Sequence, residues 1–250
     1  MNAVPAAFAL FSGLLGLAGP AFGQVAAPEA NLSASVAAAQ KRYSDSFLGS
    51  PQLYNGPEYV DYALRYHARI GHQFFLTPEK QPGSVQYNNQ RFGNLRLTYD
   101  VVLDQVVLPH PTSPLSLRLI NEWVGGFSIN GHRFVRLVAD SASGKVLRTG
   151  YYEVLVDSTV QVLAKRAKRQ QEQIVDRRVD VEFIPADRLF IKKGGVYHPV
   201  GTKAAVVRLL ADRGQEVQRY IQEHNLQFNK TQREAATVEL VRYYCSLRPQ

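Results

Sequence analysis

Hydrophobic residues change their spacing twice along this chain, and the changes divide it into regions. From Gly83 apolar and polar positions alternate. The run "NLRLTYD" sets Leu95, Leu97 and Tyr99 on one face with Arg96, Thr98 and Asp100 on the other, and "PLSLRLI" repeats this with Leu115, Leu117 and Leu119. A period of two belongs to strands with one buried face. Asn88-Asn89, Asn130-Gly131, Ser143-Gly144, Asp157-Ser158 and Gly194-Gly195 separate the runs, and such residues suit short hairpin turns. Links this short cannot hold crossover helices, so the sheet is expected to be mostly antiparallel. The fold class expected is α+β, mainly β: an antiparallel meander of roughly ten strands, a curled sheet or partial barrel, with C-terminal helices.

After Thr202 the period returns to about 3.6 residues. Val206, Leu210, Val217 and Ile221 then share a helical face, with Thr202 as helix N-cap and Gly214 as a break. "TQRE" at 231–234 has the form of a capping box, in which Thr231 accepts from the Glu234 amide and Glu234 reaches back. Before the alternating region, aromatics gather between Tyr43 and Phe75. Tyr59, Tyr62, Tyr66 and Ile70 either stripe a short helix opened by Pro57 or lie extended across a sheet. They fill a core or, in an exported protein, stack on sugar rings.

The first 23 residues contain no charged side chain and close on "AGPAFG", the pattern of a secretory signal peptide cleaved after Gly23. A single membrane anchor is the rival reading, opposed by Pro5, Pro20 and the shortness of the apolar run. The organisation expected is therefore signal peptide 1–23, flexible leader 24–42, antiparallel β domain 43–200 and a helical part 201–250 packed on the sheet. No transmembrane span is expected after cleavage, and localisation would be the periplasm or cell surface. Cys245 is the one cysteine, so no internal disulfide is available there. Its spacing from Val238 and Val241 marks it as a small packed hydrophobe.

The formal charge of +8 is concentrated late in the chain, with 17 Lys and Arg against 10 Asp and Glu from Gln161 onward. Export argues against nucleic acid as the partner and favours anionic envelope material. The densest stretch, "AKRAKRQQEQIVDRR", reads as a long hairpin. Its Lys165, Arg166, Lys168, Arg169, Arg177 and Arg178 are the candidate binding residues for an anionic partner, since guanidinium forks match phosphate and carboxylate oxygens. The plainer reading is a solvated hairpin whose charges discourage edge pairing. Both readings place these side chains in solvent.

Motifs for catalysis fail on spacing. "GGVYHPVGTK" has five residues between Gly195 and Gly201 and then Thr202 before Lys203, the wrong interval and order for a phosphate loop. "GFSIN" ends in Asn130 where a nucleophile elbow needs glycine, and its Ser128 precedes an Asn-Gly turn. His67, His72, His110, His132, His198 and His224 never pair at ligand spacing on one element. Asp100 and Asp104 flank a tight turn, where capping is their expected role. No catalytic residue, metal ligand or cofactor is assigned.

The runs "GSVQYNNQRFGNLRLTYDVVLDQVVL", "FSINGHRFVRLV", "GYYEVLVD", "FIKKGGVYHPV" and the closing "YYCSL" together resemble a group of uncharacterised exported proteins common in Bacteroidetes-type bacteria. The likeness covers most of Tyr54 to Leu247 and is carried by Gly83, Tyr87, Leu95, Tyr99, Asp100, Asp104, Phe134 and the Lys192-Lys193-Gly194-Gly195 turn, with Asn88-Asn89 where Asp-Gly is usual. It implies export and a β-rich fold and supplies no activity. The function expected is an exported, envelope-associated binding or scaffold protein, non-catalytic, whose partner is an anionic envelope component or another envelope protein. The alternatives are a carrier holding an apolar ligand in the curled sheet and a hydrolase whose site assembles through space. Periodicity and composition assign no oligomeric state.

Overall fold

The computed structural model describes residues 35, 36, 38, 51–139 and 146–247. Met1–Gln40 and Lys41–Gln250 are separate units. In the first, residues 35, 36 and 38 are helical and exposed; the rest of the expected signal peptide and leader, and the Ser143-Gly144 turn, lie outside the described residues.

In the second unit, thirteen strands are described: β1 Arg69–Ile70, β2 Gln81–Tyr87, β3 Gln90–Asp100, β4 Gln105–Pro109, β5 Ser116–Arg118, β6 Val124–Ile129, β7 His132–Leu137, β8 Gly150–Val156, β9 Gln161–Lys165, β10 Lys168–Val175, β11 Arg178–Pro185, β12 Arg188–Lys193 and β13 Val196–Val200. Ten form one antiparallel sheet in the order β13-β12-β9-β8-β7-β6-β2-β3-β4-β5. The end strands do not pair with each other, so the sheet stays open and no barrel forms. It departs from a simple meander twice. β2 sits between β3 and β6, and the β10–β11 hairpin leaves the sheet to form a second one with β1, in the order β1-β11-β10. β1 runs parallel to β11.

Turn chemistry explains the hairpins. Asn88-Asn89, Asn130-Gly131, Asp176-Arg177 and Gly194-Gly195 all have positive φ at both positions. That is the two-residue turn whose twist matches the flanking strands. Asp176-Arg177 does so without asparagine or glycine, so composition alone does not flag it.

Alternation buries one face of β3 as expected, with Leu95, Leu97 and Tyr99 in the core. Thr98 and Asp100, expected in solvent, are buried too. Residues 59–75 account for this: Phe75 N–H donates to the Tyr99 carbonyl at 2.8 Å, and the Tyr59 hydroxyl donates to Asp100 Oδ2 at 2.8 Å. This segment forms a single helical turn at Tyr62–Arg65, begun where Asp61 caps the Ala63 amide and ended where Tyr66 is extended. Tyr59 and Tyr66 are buried as core residues. Leu115, expected with Leu117 and Leu119, is 43% exposed outside the three-residue β5.

Three helices follow, α1 Lys203–Leu209, α2 Gly214–Glu223 and α3 Arg233–Ser246. Thr202 Oγ1 caps α1 by accepting from the Ala205 amide at 3.3 Å. Val206, Leu210, Val217 and Ile221 are buried together with Leu240 and Val241 of α3 and with Val162 and Ile191 of the sheet. Each of these side chains contributes roughly 1.5–3 kcal/mol by leaving water. Cys245 is half-buried against the same cluster. The capping box is not formed. Asn229 Oδ1 accepts from the Thr231 and Gln232 amides at 3.1 and 3.0 Å, and Glu234 turns away to Arg166.

Candidate functional site

Two apolar clusters share one face of the large sheet, and a polar seam lies between them. One cluster is aromatic, built around Tyr99, Phe127, Phe134 and Tyr151, with the Phe127 and Phe134 rings stacked 4.6 Å apart. The other lies under the helices. Glu153 of β8 belongs to neither and is only 2% exposed. An isolated carboxylate there would be costly, so it must be paired. His132 Nδ1 stands 2.5 Å from its Oε1, and Arg166 Nε donates to its Oε2 at 2.5 Å.

Arg166 gathers two further carboxylates. Its Nη1 donates to Asp187 Oδ2 at 2.8 Å, and its two terminal nitrogens grip Glu234 at 2.7 Å each. Burial works against the charge of this guanidinium, but Glu234, Glu153 and Asp187 outweigh it and raise its pKa above the usual arginine value. One side chain thus links β8, the β11–β12 turn and the start of α3.

In front of this seam opens a cleft of about 780 Å³ between the β11–β12 turn and α3. Its floor is apolar, with Leu155, Leu189 and Val238; its rim carries Arg188, Lys230, Arg233 and Arg242. The acidic residues of the lining, Asp187 and Glu234, are both held by Arg166. Arg233 and Arg242 donate to the backbone carbonyls of Gly201 and Leu155, at 2.9 and 3.4 Å, and none of the four rim cations makes an ion pair among the described residues. Arg233 Nε is buried with no hydrogen-bond partner. The cleft therefore presents net positive charge over an apolar floor. Guanidinium and ammonium groups so placed match the geometry and charge of phosphate or carboxylate oxygens.

The six residues singled out from the sequence separate. Lys165 Nζ lies 2.7 Å from Asp104 Oδ1 and donates to the Tyr151 carbonyl, and burial lowers its pKa against the pull of Asp104. Gly150, at φ +151°, makes room for this pair, since a Cβ there would meet Asp104 Oδ2 at 2.0 Å. Lys168 donates to the carbonyls of His72 and Phe74 at 2.7 and 2.8 Å. Only Arg169, Arg177 and Arg178 are exposed. The expectation that all six face solvent is corrected at Lys165, Arg166 and Lys168: each sits at the base of the hairpin, where neighbouring chain supplies acceptors. None of the six lines the cleft; Arg166 reaches it only through Asp187 and Glu234, which it holds. Arg188, Lys230, Arg233 and Arg242 escaped sequence reading because they are spread over 55 positions with no local run.

Other candidates resolve into structural roles. Asp100 Oδ1 accepts from the amides of Val102 and Leu103 at 2.9 Å, capping the turn as expected; burial raises its pKa against these bonds. Ser128 lies within β6 and meets Ser84 Oγ at 2.9 Å on the outer face of the sheet. No group of three or more His, Cys, Asp or Glu side chains among the described residues is placed to hold a metal ion. No helix among them is long and apolar enough to cross a membrane. The chain matches no protein-family model, no curated protein and no solved structure.

Proposed function

We propose that the protein is an exported, envelope-associated binding module that acts by binding and not by catalysis, and that the cleft beside α3 takes an anionic group of a periplasmic or cell-surface component. The observation that carries this reading is the cleft's charge arrangement. Arg188, Lys230, Arg233 and Arg242 line it against only two carboxylates, Asp187 and Glu234, both of which are paired with Arg166. Export rests on the uncharged apolar start and its small-residue close.

The test is co-sedimentation with phosphatidylglycerol and phosphatidylcholine vesicles at low and high salt. Binding is expected on the anionic vesicles alone. It should weaken with salt, because exposed charges are screened beyond about 8 Å at physiological ionic strength. Exchanging Arg188, Lys230 and Arg242 for glutamine should abolish it with the circular dichroism spectrum unchanged. Equal sedimentation of this variant and the parent on anionic vesicles would overturn the cleft as the site. Mass spectrometry of the native N-terminus should find Gln24 first; a retained Met1 would overturn the export reading.

A further inference from the structure

Besides the two-residue β1, the described sheets have three edge strands that could accept another chain, β5, β13 and β10, and the fold closes the first two. At β5, residues 57–59 take the edge: Tyr59 N–H donates to the Ser116 carbonyl at 2.8 Å and Arg118 N–H to the Pro57 carbonyl at 3.0 Å. At β13 the two-residue Gly194-Gly195 turn makes Lys193 and Val196 a hydrogen-bonded pair, so Tyr197 and Pro199 point their backbones outward. Pro199 has no N–H to offer a neighbour.

The third edge, β10, is eight residues long and contains no proline. Its two-residue Asp176-Arg177 turn makes Val175 and Arg178 a hydrogen-bonded pair. By alternation Arg169, Gln171 and Gln173 bond β11, while Lys168, Gln170, Glu172 and Ile174 direct their N–H and C=O groups away from it. Two bonds outside the strand pairing fix the same parity: Ala186 N–H donates to the Ala167 carbonyl at 2.9 Å, and Val181 N–H donates to Ala68 on the far side of β11 at 3.0 Å. Lysine on an edge normally discourages pairing. Here Lys168 is turned away, its Nζ bonded to the His72 and Phe74 carbonyls.

We propose that β10 pairs antiparallel with β10 of a second copy of this chain, joining two three-stranded sheets into one of six strands. The outward positions fix the register. Pairing across a two-fold axis at Gln171 engages all four of them, setting Gln170 against Glu172 of the second copy and Lys168 against Ile174. No like charges then stand opposite each other. Shifting the axis to Glu172 would place two carboxylates face to face, and shifting it to Gln170 would leave Ile174 opposite Arg166, outside the strand. Gln170 Nε2, buried with no hydrogen-bond partner among the described residues, lies on the same face as the opposing carboxylate. Ile174, 80% exposed in the single chain, gains the Lys168 stem as a neighbour.

Sedimentation velocity of the full chain over a concentration series tests this. The weight-average mass should rise to twice the monomer value. Gln170→Pro removes one outward N–H and leaves the bonds to β11 in place, so it should hold the protein at monomer mass with an unchanged circular dichroism spectrum. In a Cys245→Ala background, Gln171→Cys should form a disulfide-linked dimer under mild oxidation, because a residue facing its own copy in a non-hydrogen-bonded pair has the Cα separation a disulfide needs. Gln173→Cys should not, since its opposite number is Arg169. Monomer mass at every concentration would overturn the proposal, as would a dimer that persists in folded Gln170→Pro, or cross-linking at position 173 in preference to 171.

Discussion

The base and the tip of the β10–β11 hairpin carry the same kind of sequence and live in opposite surroundings. At the base, Lys165, Arg166 and Lys168 are drawn inward, where carboxylates and main-chain carbonyls hold them. At the tip, Arg177 and Arg178 are exposed beside Ile174 and Val175, with Arg178 Nη1 2.7 Å from Nε2 of the equally exposed His67. A run of cations is therefore not one surface. Position relative to the hairpin's root decides which charges brace the fold and which remain available to a partner.

The largest effect expected on this comparison is at Arg166. Arg166→Met should cost about 3–5 kcal/mol in urea denaturation, the scale for breaking a buried ion pair and leaving its partner charged; here buried Glu153 would keep only His132. A loss under 1 kcal/mol would mean that base and tip do not differ as described. Replacing Lys165, Arg166, Lys168 and Arg169 together with glutamine should consequently unfold the protein, so that variant cannot probe a surface. At Cys245, half-buried under the helices with Sγ 3.8 Å from the Val160 carbonyl, Cys245→Ala should cost on the order of 1 kcal/mol. Anionic-vesicle binding should be retained.

A subtler effect separates the base from the tip by pH. His72 Nδ1 accepts from the Phe74 amide at 3.2 Å and lies 3.5 Å from Lys168 Nζ. Burial, then Lys168, lowers its pKa in the folded state below 6.5, with Glu79 opposing. The unfolded chain thus binds more protons in the interval below 6.5, and stability must fall as pH drops through it. His72→Gln should flatten that part of the stability profile; an unaltered slope would remove His72 as its source. Smallest of all should be Arg177→Gln with Arg178→Gln at the tip, within about 0.5 kcal/mol of the parent, measured by the same urea titration.

Much of the architecture was legible because it depends on local rules. Alternation at Leu95, Leu97 and Tyr99 identified a half-buried strand, the Asn-Asn, Asn-Gly and Gly-Gly pairs identified hairpins, and the 3.6 spacing of Val206, Leu210, Val217 and Ile221 identified the buried helical face. Each reflects the geometry of a single element, which the residues of that element carry by themselves. Thr231 and Glu234 show the limit. They satisfy the capping pattern, yet Asn229 serves the amides first and Arg166, 68 residues away, takes the carboxylate.

What only the tertiary structure decided is which charged groups meet. Glu153, Arg166, Asp187 and Glu234 come from four separate stretches, and Arg188, Lys230, Arg233 and Arg242 from three, so no spacing along the chain encodes their convergence. The alternating and helical patterns determined that strands and helices would form and which faces they would bury. The placement of a cationic cleft in front of a seam of carboxylates held by Arg166, and of an edge at β10 with no strand partner among the described residues, arose from how those faces packed. Coulomb attraction and backbone hydrogen bonding act on distance in space and are indifferent to distance in sequence.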